Sequence, residues 1–254
     1  MDAFRAGLGN PDNANAGPQA GGHREINWDG GGATNGTAAV TPFIVFQNTR
    51  GATFITPGSG LTQAPISGGT VDIAPGVGGL QGSLSALNAT YATAFATFSP
   101  NRLFAPLDST ITDGTFSLPG TGGTVPATVS GLGVVFTDVD LASSSSLQFF
   151  DTQGNSLGIF NAPCGSGPTC SPTDGTLSFL GVLFTTERIA RVRIINGNTA
   201  LGPDDNPAGG VDVVALDDFL FAEPRAVPAP AGLTLLGLGL VGVVAQSWLR
   251  KRTV

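Results

Sequence analysis

One histidine, His23, is all that this chain offers to imidazole chemistry. A Ser-His-Asp or Cys-His relay could use no other base. Hydrolytic triads and HExxH metal centres therefore fall away. Carboxylates remain. Paired acids could cleave glycosidic bonds, with Glu25, Glu187, Glu223, Asp138, Asp140, Asp217 and Asp218 as the available groups. Such clefts usually also stack sugar rings on several Trp or Tyr, and this chain has only Trp28, Trp248 and Tyr91. The same acids suit a hard cation better. TDVD (137–140) ends an apolar run, PDDN (203–206) fills a turn-rich stretch, and LDDF (216–219) lies inside an apolar run where a lone carboxylate is costly. Asp138, Asp140, Asp217 and Asp218 are accordingly the expected calcium ligands. An arginine or a sheet-edge position would serve the LDDF acids equally, and no EF-hand DxDxDG loop is present. Strand alternation puts Asp217 and Asp218 on opposite faces.

A second polar constellation is HREINWDG (23–30). Arg24, Glu25, Asn27, Trp28 and Asp29 supply charges, an amide and a stacking ring, which would suit a ligand-binding loop. The favoured reading is an N-terminal strand that docks on the fold and plugs its edge with Trp28. GLGLVG (237–242) fits GxGxxG, but no strand precedes it and it lies in an apolar tail, so nucleotide binding is not implied. Cys164 and Cys170 are the only cysteines. Two ligands are too few for structural zinc and the spacing is not CxxC, so the pair is expected to form a disulfide closing a local loop.

The elements that must position these groups read as strands. Apolar residues alternate with period two, not 3.6, over 42–47, 51–56, 90–98, 133–139, 146–151, 156–160, 176–184, 188–195 and 211–221, and turn residues separate the runs. In RIARVRII (188–195), Ala190, Val192 and Ile194 should face a core, with Arg191 and Arg193 facing water. Two echoes occur: TDGTFSLPG (112–120) with TDGTLSFLG (173–181), and LGVVFT (132–137) with LGVLFT (180–185). Their offsets differ, so they are two similar turn-plus-strand pieces and not a solenoid repeat. The expected fold is all-β, an antiparallel β-sandwich of jelly-roll-like form over 38–224, preceded by a flexible segment over 1–37. Residues 1–22 lack the apolar core of a signal peptide, so the true start is expected upstream.

Composition points outside the cell. Charged residues are only 11 % of the chain, and Gly 38 and Pro 18 of 254 residues favour loop-rich β structure over a helical enzyme. The net charge is −7, and taking away the three positive charges at 250–252 leaves −10 on the remainder, which argues against a nucleic-acid partner. The tail over 225–254 is the most particular segment. After VPAPAG (227–232), residues 231–249 carry no charge and nine are Leu or Val. As a helix they would reach about 28 Å, enough to cross a bilayer's hydrocarbon core. Arg250, Lys251 and Arg252 follow at once and would stay on the cytoplasmic side, leaving the body outside.

Pro motif, apolar span and basic stop, in that order, resemble the PEP-CTERM sorting signal of Gram-negative bacteria that make exopolysaccharide. Val227, Pro228, Ala229, Pro230 and Ala231 stand where that family typically has VPEPA, with Ala229 in place of the Glu. The resemblance covers only this tail. It implies export, transient anchoring in the inner membrane, cleavage near the motif by an exosortase, and release to the envelope or extracellular matrix. The sequence thus leads to a non-enzymatic, structural or glycan-associated surface module, with exopolysaccharide as an expected partner and calcium as the candidate ion. The competing classes are a secreted carbohydrate-active hydrolase and a plainly membrane-anchored envelope protein, the latter because Ala229 departs from the motif.

Overall fold

A computed structural model describes residues 1–30, 39–68, 82–164, 170, 172–185 and 188–227. In chain order the strands are β1 (His23–Ile26), β2 (Ala52–Ile55), β3 (Gly60–Pro65), β4 (Arg102–Leu107), β5 (Ile111–Ser117), β6 (Pro126–Thr128), β7 (Gly131–Thr137), β8 (Ser146–Phe150), β9 (Ser156–Asn161), β10 (Leu177–Leu183), β11 (Arg191–Ile195), β12 (Ala215–Ala222) and β13 (Arg225–Ala226). Short helices add α1 (Asp2–Leu8), α2 (Leu84–Leu87) and α3 (Tyr91–Ala94). The strands form two antiparallel sheets. One runs β10-β7-β12-β4-β3, with β1 also on β12; the other runs β13-β6-β5-β11-β8-β9, with β2 also on β5. The result is a β-sandwich.

Between the sheets lies an aromatic core centred on Trp28, which is fully buried. Its ring stacks on Phe104 at 3.8 Å and meets Phe43, Phe46, Phe54 and Phe219 edge-on. Its indole N–H donates to the Asp217 carbonyl at 2.9 Å, so the one polar atom of the ring is satisfied. β11 shows the expected alternation: Val192 and Ile194 are buried, while Arg191 and Arg193 reach across to Asp113 on β5. Upstream of β11 the alternation slips, since Ile189 is buried and Ala190 only half-buried.

The first sheet is covered on its outer face as well. Leu103, Ala64 and Ala215 point away from the aromatic core and pack with Leu84, Tyr91, Ala94 and Phe95. Residues 90–98 therefore form no strand. Tyr91, Ala94 and Phe95 fall at i, i+3, i+4, the spacing of one helical face, and that face caps the outer side of β4 and β12. Likewise 42–47 makes only a bridge, Phe43 with Phe54, before turning.

The N-terminal part that was expected to be flexible is built into the body over 1–30. β1 pairs β12 along His23–Ile26, and Phe4 of α1 seats against Gly133 and Gly181. A Cβ at Gly133 would come within 2.8 Å of the Phe4 ring, so these two glycines form the trough that receives it. At the other end the sandwich extends past residue 224. β13 pairs β6, and the Val227 N–H donates to the Pro126 carbonyl at 3.1 Å. The echoes are not repeats: 112–120 supplies β5 in one sheet, 173–181 supplies a turn and β10 in the other, and LGVVFT and LGVLFT belong to the adjacent strands β7 and β10.

Candidate metal centre

The Asp residues nominated by the sequence fall into two clusters with different chemistry. In the first, β7 ends at Thr137 and the chain leaves the sheet through Asp138, whose φ of 70° is rare for a non-glycine residue. This turn is held from three sides. The Asp138 N–H donates to the Thr176 carbonyl at 2.9 Å. The N–H groups of Asp140 and Leu141 donate to the Asp212 carboxylate at 3.3 and 3.0 Å, and Thr173 N–H donates to Asp140 Oδ1 at 3.2 Å. Asp205 arrives from the 203–206 loop. Tyr91 fixes that loop by donating to the Pro203 carbonyl at 2.8 Å and accepting from Gly202 N–H at 2.7 Å, while Val213 N–H donates to Asp205 Oδ1 at 2.7 Å.

The turn and the loop bring carboxylate oxygens of Asp138, Asp140 and Asp205 within 4.8 Å of one another. Asp138 is fully buried and Asp140 nearly so, Asp205 is half-buried, and Asp174 lies exposed at the rim. Both Asp138 oxygens are buried without a hydrogen-bond partner. The ion pairs among the described residues lie elsewhere. Burial, reinforced by the negative charges of Asp140, Asp205, Asp174 and Asp212, pushes the Asp138 carboxyl up to about 9. Asp205 is pushed up to about 6, again chiefly by burial, with the Val213 N–H opposing and Asp212, Asp140 and Asp174 adding. Burial also raises Asp140, against the pull of the Thr173 N–H.

Asp217 and Asp218 belong to the second cluster, away from Asp138 and Asp140. They do not point to opposite faces. Between Leu216 and Phe219 the ladder with β7 shifts register, three steps on β12 against two from Phe136 to Val134, which is a β-bulge. The bulge turns both carboxylates toward Ser99, whose hydroxyl lies 3.4 Å from Asp217 Oδ1 and donates to Asp218 Oδ1 at 2.6 Å. Asp217 Oδ2 accepts from Phe98 N–H at 2.6 Å, and Asp29 Oδ1 accepts from the N–H groups of Asn101 and Arg102 at 2.6 and 3.0 Å. These acids fasten the 98–102 loop to β12. Burial first, then the charges of Asp218 and Asp29, pushes Asp217 up to about 8. Asp218 is also raised, by burial above all.

The HREINWDG residues are placed as a docked strand. Arg24 is fully buried and makes a bidentate pair with Glu223, both contacts at 2.8 Å. Glu25 pairs with Arg5 at 2.6 Å, and His23 bridges the Gly9 carbonyl at 2.6 Å and Glu25 at 3.1 Å. Trp28 is core, Asp29 caps a loop, and of the five nominated residues Asn27 alone is exposed. Cys164 and Cys170 are joined in a disulfide. Glu187, Trp248, the motif residues Pro228 to Ala231, the apolar span 231–249 and Arg250, Lys251 and Arg252 lie outside the described residues. Among the described residues no helix is long and apolar enough to cross a membrane.

Two groups escaped the sequence reading. Asp205 lies in the PDDN segment, but nothing along the chain says which of two adjacent acids turns inward. Asp212 carries its signal in VDVV, a charge inside an apolar run, and it acts by holding the 140–141 backbone in place. A further surface feature is a cleft of about 290 Å³ lined by Gln47, Thr53, Thr115, Phe116, Ser117, Gly123 and Pro126, which presents amide and hydroxyl groups beside apolar ones and no ionisable side chain. No family model matches the chain, and no curated protein matches it.

Proposed function

We propose that the protein is an exported surface or extracellular-matrix module, a non-enzymatic jelly-roll-like β-sandwich that associates with exopolysaccharide. Residues 231–249 serve as its membrane-crossing helix and 227–231 as its sorting motif. The observation that carries this reading is the order of the tail. The last strand of the body delivers Val227 directly into VPAPAG, and the uncharged span and the basic stop at 250–252 follow. The disulfide supports an oxidising compartment, since such bonds persist in exported proteins and are rare in the cytosol. The neutral cleft beside β2 and β5 supports glycan association, because hydroxyl and amide groups match the donors and acceptors of an uncharged sugar. Of the acids considered for glycosidase chemistry, Glu25 and Glu223 are each bound to an arginine and are not free to trade protons.

The test is the intact mass of the full chain, expressed behind a supplied secretion signal in an exosortase-bearing host and recovered from membrane, envelope and medium. A species ending near the VPAPA motif in the envelope or medium is expected. A full-length species confined to the membrane would overturn the sorting reading in favour of a plain anchor, and a species left in the cytoplasm would overturn export itself.

A further inference from the structure

We infer that Asp138, Asp140 and Asp205 form a calcium site that clamps the end of β7 to the loop preceding β12. This goes beyond the surface-module reading and stands or falls apart from it. The first argument is the pair of buried, unpartnered Asp138 oxygens. A carboxylate withdrawn from water needs either a hydrogen-bond donor or a cation, and the fold gives it no donor while holding two more carboxylates toward it. Protonating Asp138 does not resolve this, because its carbonyl oxygen would still be buried without a donor.

The second argument is the size and chemistry of the gap. Oxygens that surround one calcium ion at 2.3–2.6 Å lie no more than about 5.2 Å apart, and these three carboxylates contribute atoms within 4.8 Å. The donor set is oxygen alone, which selects a hard cation over zinc or copper. Magnesium keeps most of its water, and a fully buried carboxylate beside a nearly buried one leaves little room for it.

The third argument is that the protein spends backbone donors on fixing this set. Asp212 orients the 140–141 backbone, Thr173 N–H holds one oxygen of Asp140, and Val213 N–H holds one oxygen of Asp205. Asp138 alone is left with both oxygens uncommitted. Burial falls from Asp138 through Asp205 to Asp174, which is exposed. Asp217 and Asp218, by contrast, spend their oxygens on Phe98 N–H and Ser99, and take no part.

The experiment is calorimetric titration of the full chain, stripped with EDTA, with calcium chloride, alongside thermal unfolding in calcium and in EDTA. One ion should bind with a Kd of about 10⁻⁵–10⁻³ M, from the weak end of sensor sites through extracellular ones, and the unfolding temperature should rise with calcium. Asp138→Asn should weaken binding at least about tenfold. Asp205→Asn, in a half-buried loop, should do the same and covers the case in which the first variant fails to fold. Asp217→Asn should bind as the wild type does. The absence of both a binding heat and a thermal shift up to about 10 mM calcium, an order above the weakest such sites, would overturn the assignment. Undiminished binding by Asp205→Asn, or tighter binding of magnesium than of calcium, would overturn it equally.

Discussion

The buried pair Arg24–Glu223 allows the role of the N-terminal segment to be tested with a worked magnitude. The five N–H groups of Arg24 reach six acceptors: both oxygens of the Glu223 carboxylate, the Gly17 carbonyl, and the carbonyls of Ala14, Ala16 and Thr49, which share the two hydrogens of Nη1. Glu223 accepts two more, from Asn13 Nδ2 and Gln19 N–H. The segment 13–19 is thus tied to the strand region after β12 through one guanidinium and one carboxylate. In Arg24→Met the volume is roughly kept and the four carbonyls, which lie near the surface, can turn to water. The Glu223 carboxylate cannot, since only 3 % of the residue is exposed. Leaving a buried charge without its partner costs about 3–5 kcal/mol, a large share of the about 5–15 kcal/mol that holds a domain together. Glu223→Met should cost a similar amount. The double variant should cost clearly less than the two together, with a coupling of at least about 2 kcal/mol, because neither charge is then stranded. Urea unfolding at neutral pH followed by far-UV circular dichroism measures all four corners of the cycle. Single losses below about 1 kcal/mol, or losses that simply add, would refute the claim that this pair anchors the segment.

Two further perturbations address the acids and the disulfide. Asp217 has a folded-state pKa raised to about 8 from an ordinary 3.8, so the folded protein keeps a proton that the unfolded chain releases. Stability should therefore fall as pH rises from about 4 to 8 and level off above, and Asp217→Asn, which still accepts from Phe98 N–H, should flatten that fall by at least about 1 kcal/mol. A parallel pair of stability curves between pH 5 and 9 would show instead that the carboxylate is charged throughout. Replacing Cys164 and Cys170 together by Ser removes a bridge of sequence separation 6. Loop-closure entropy for so short a loop amounts to about 2 kcal/mol, so chemical denaturation should shift modestly with the sandwich intact. Loss of folding would mean that the bridge holds β9 in place and does more than trim a loop.

What could be read along the chain was the part of the fold carried by alternation. β7 to β12 all fall on the apolar runs; β8 and β11 alternate as a strand with one face on a core must, whereas β7 and β12 are buried along their whole length. β3 and β4 were missed for a physical reason. GLTQAP and RLFAPL are buried on both faces, the inner against Trp28 and its neighbours and the outer against α2 and α3, so they alternate between two kinds of buried side chain and show no polar face. The segment 90–98 misled in the opposite direction, since small Ala and Thr between aromatics mimic alternation while packing as a turn of helix. The bulge in LDDF was invisible because it is made by the register with β7, a partner some eighty residues away.

The acids were legible as types and illegible as partners, and that distinction carries the functional argument. In a chain with so few charges, nine charged side chains among the described residues are nonetheless buried: Arg24, Arg102, Asp113, Asp138, Asp140, Asp212, Asp217, Asp218 and Glu223. Charges are seldom buried unless they are paired, so each one demands a partner. For Arg24 and Glu223 the partner is each other, and for Asp113 it is Arg191 and Arg193. Asp212, Asp217 and Asp218 are served by backbone N–H groups or Ser99. The same accounting, applied to Asp138, finds two oxygens with no partner among the described residues. A fold that satisfies its other buried acids with donors from its own chain has left this one for a ligand. The sign of its neighbours' charges says that the ligand is a cation.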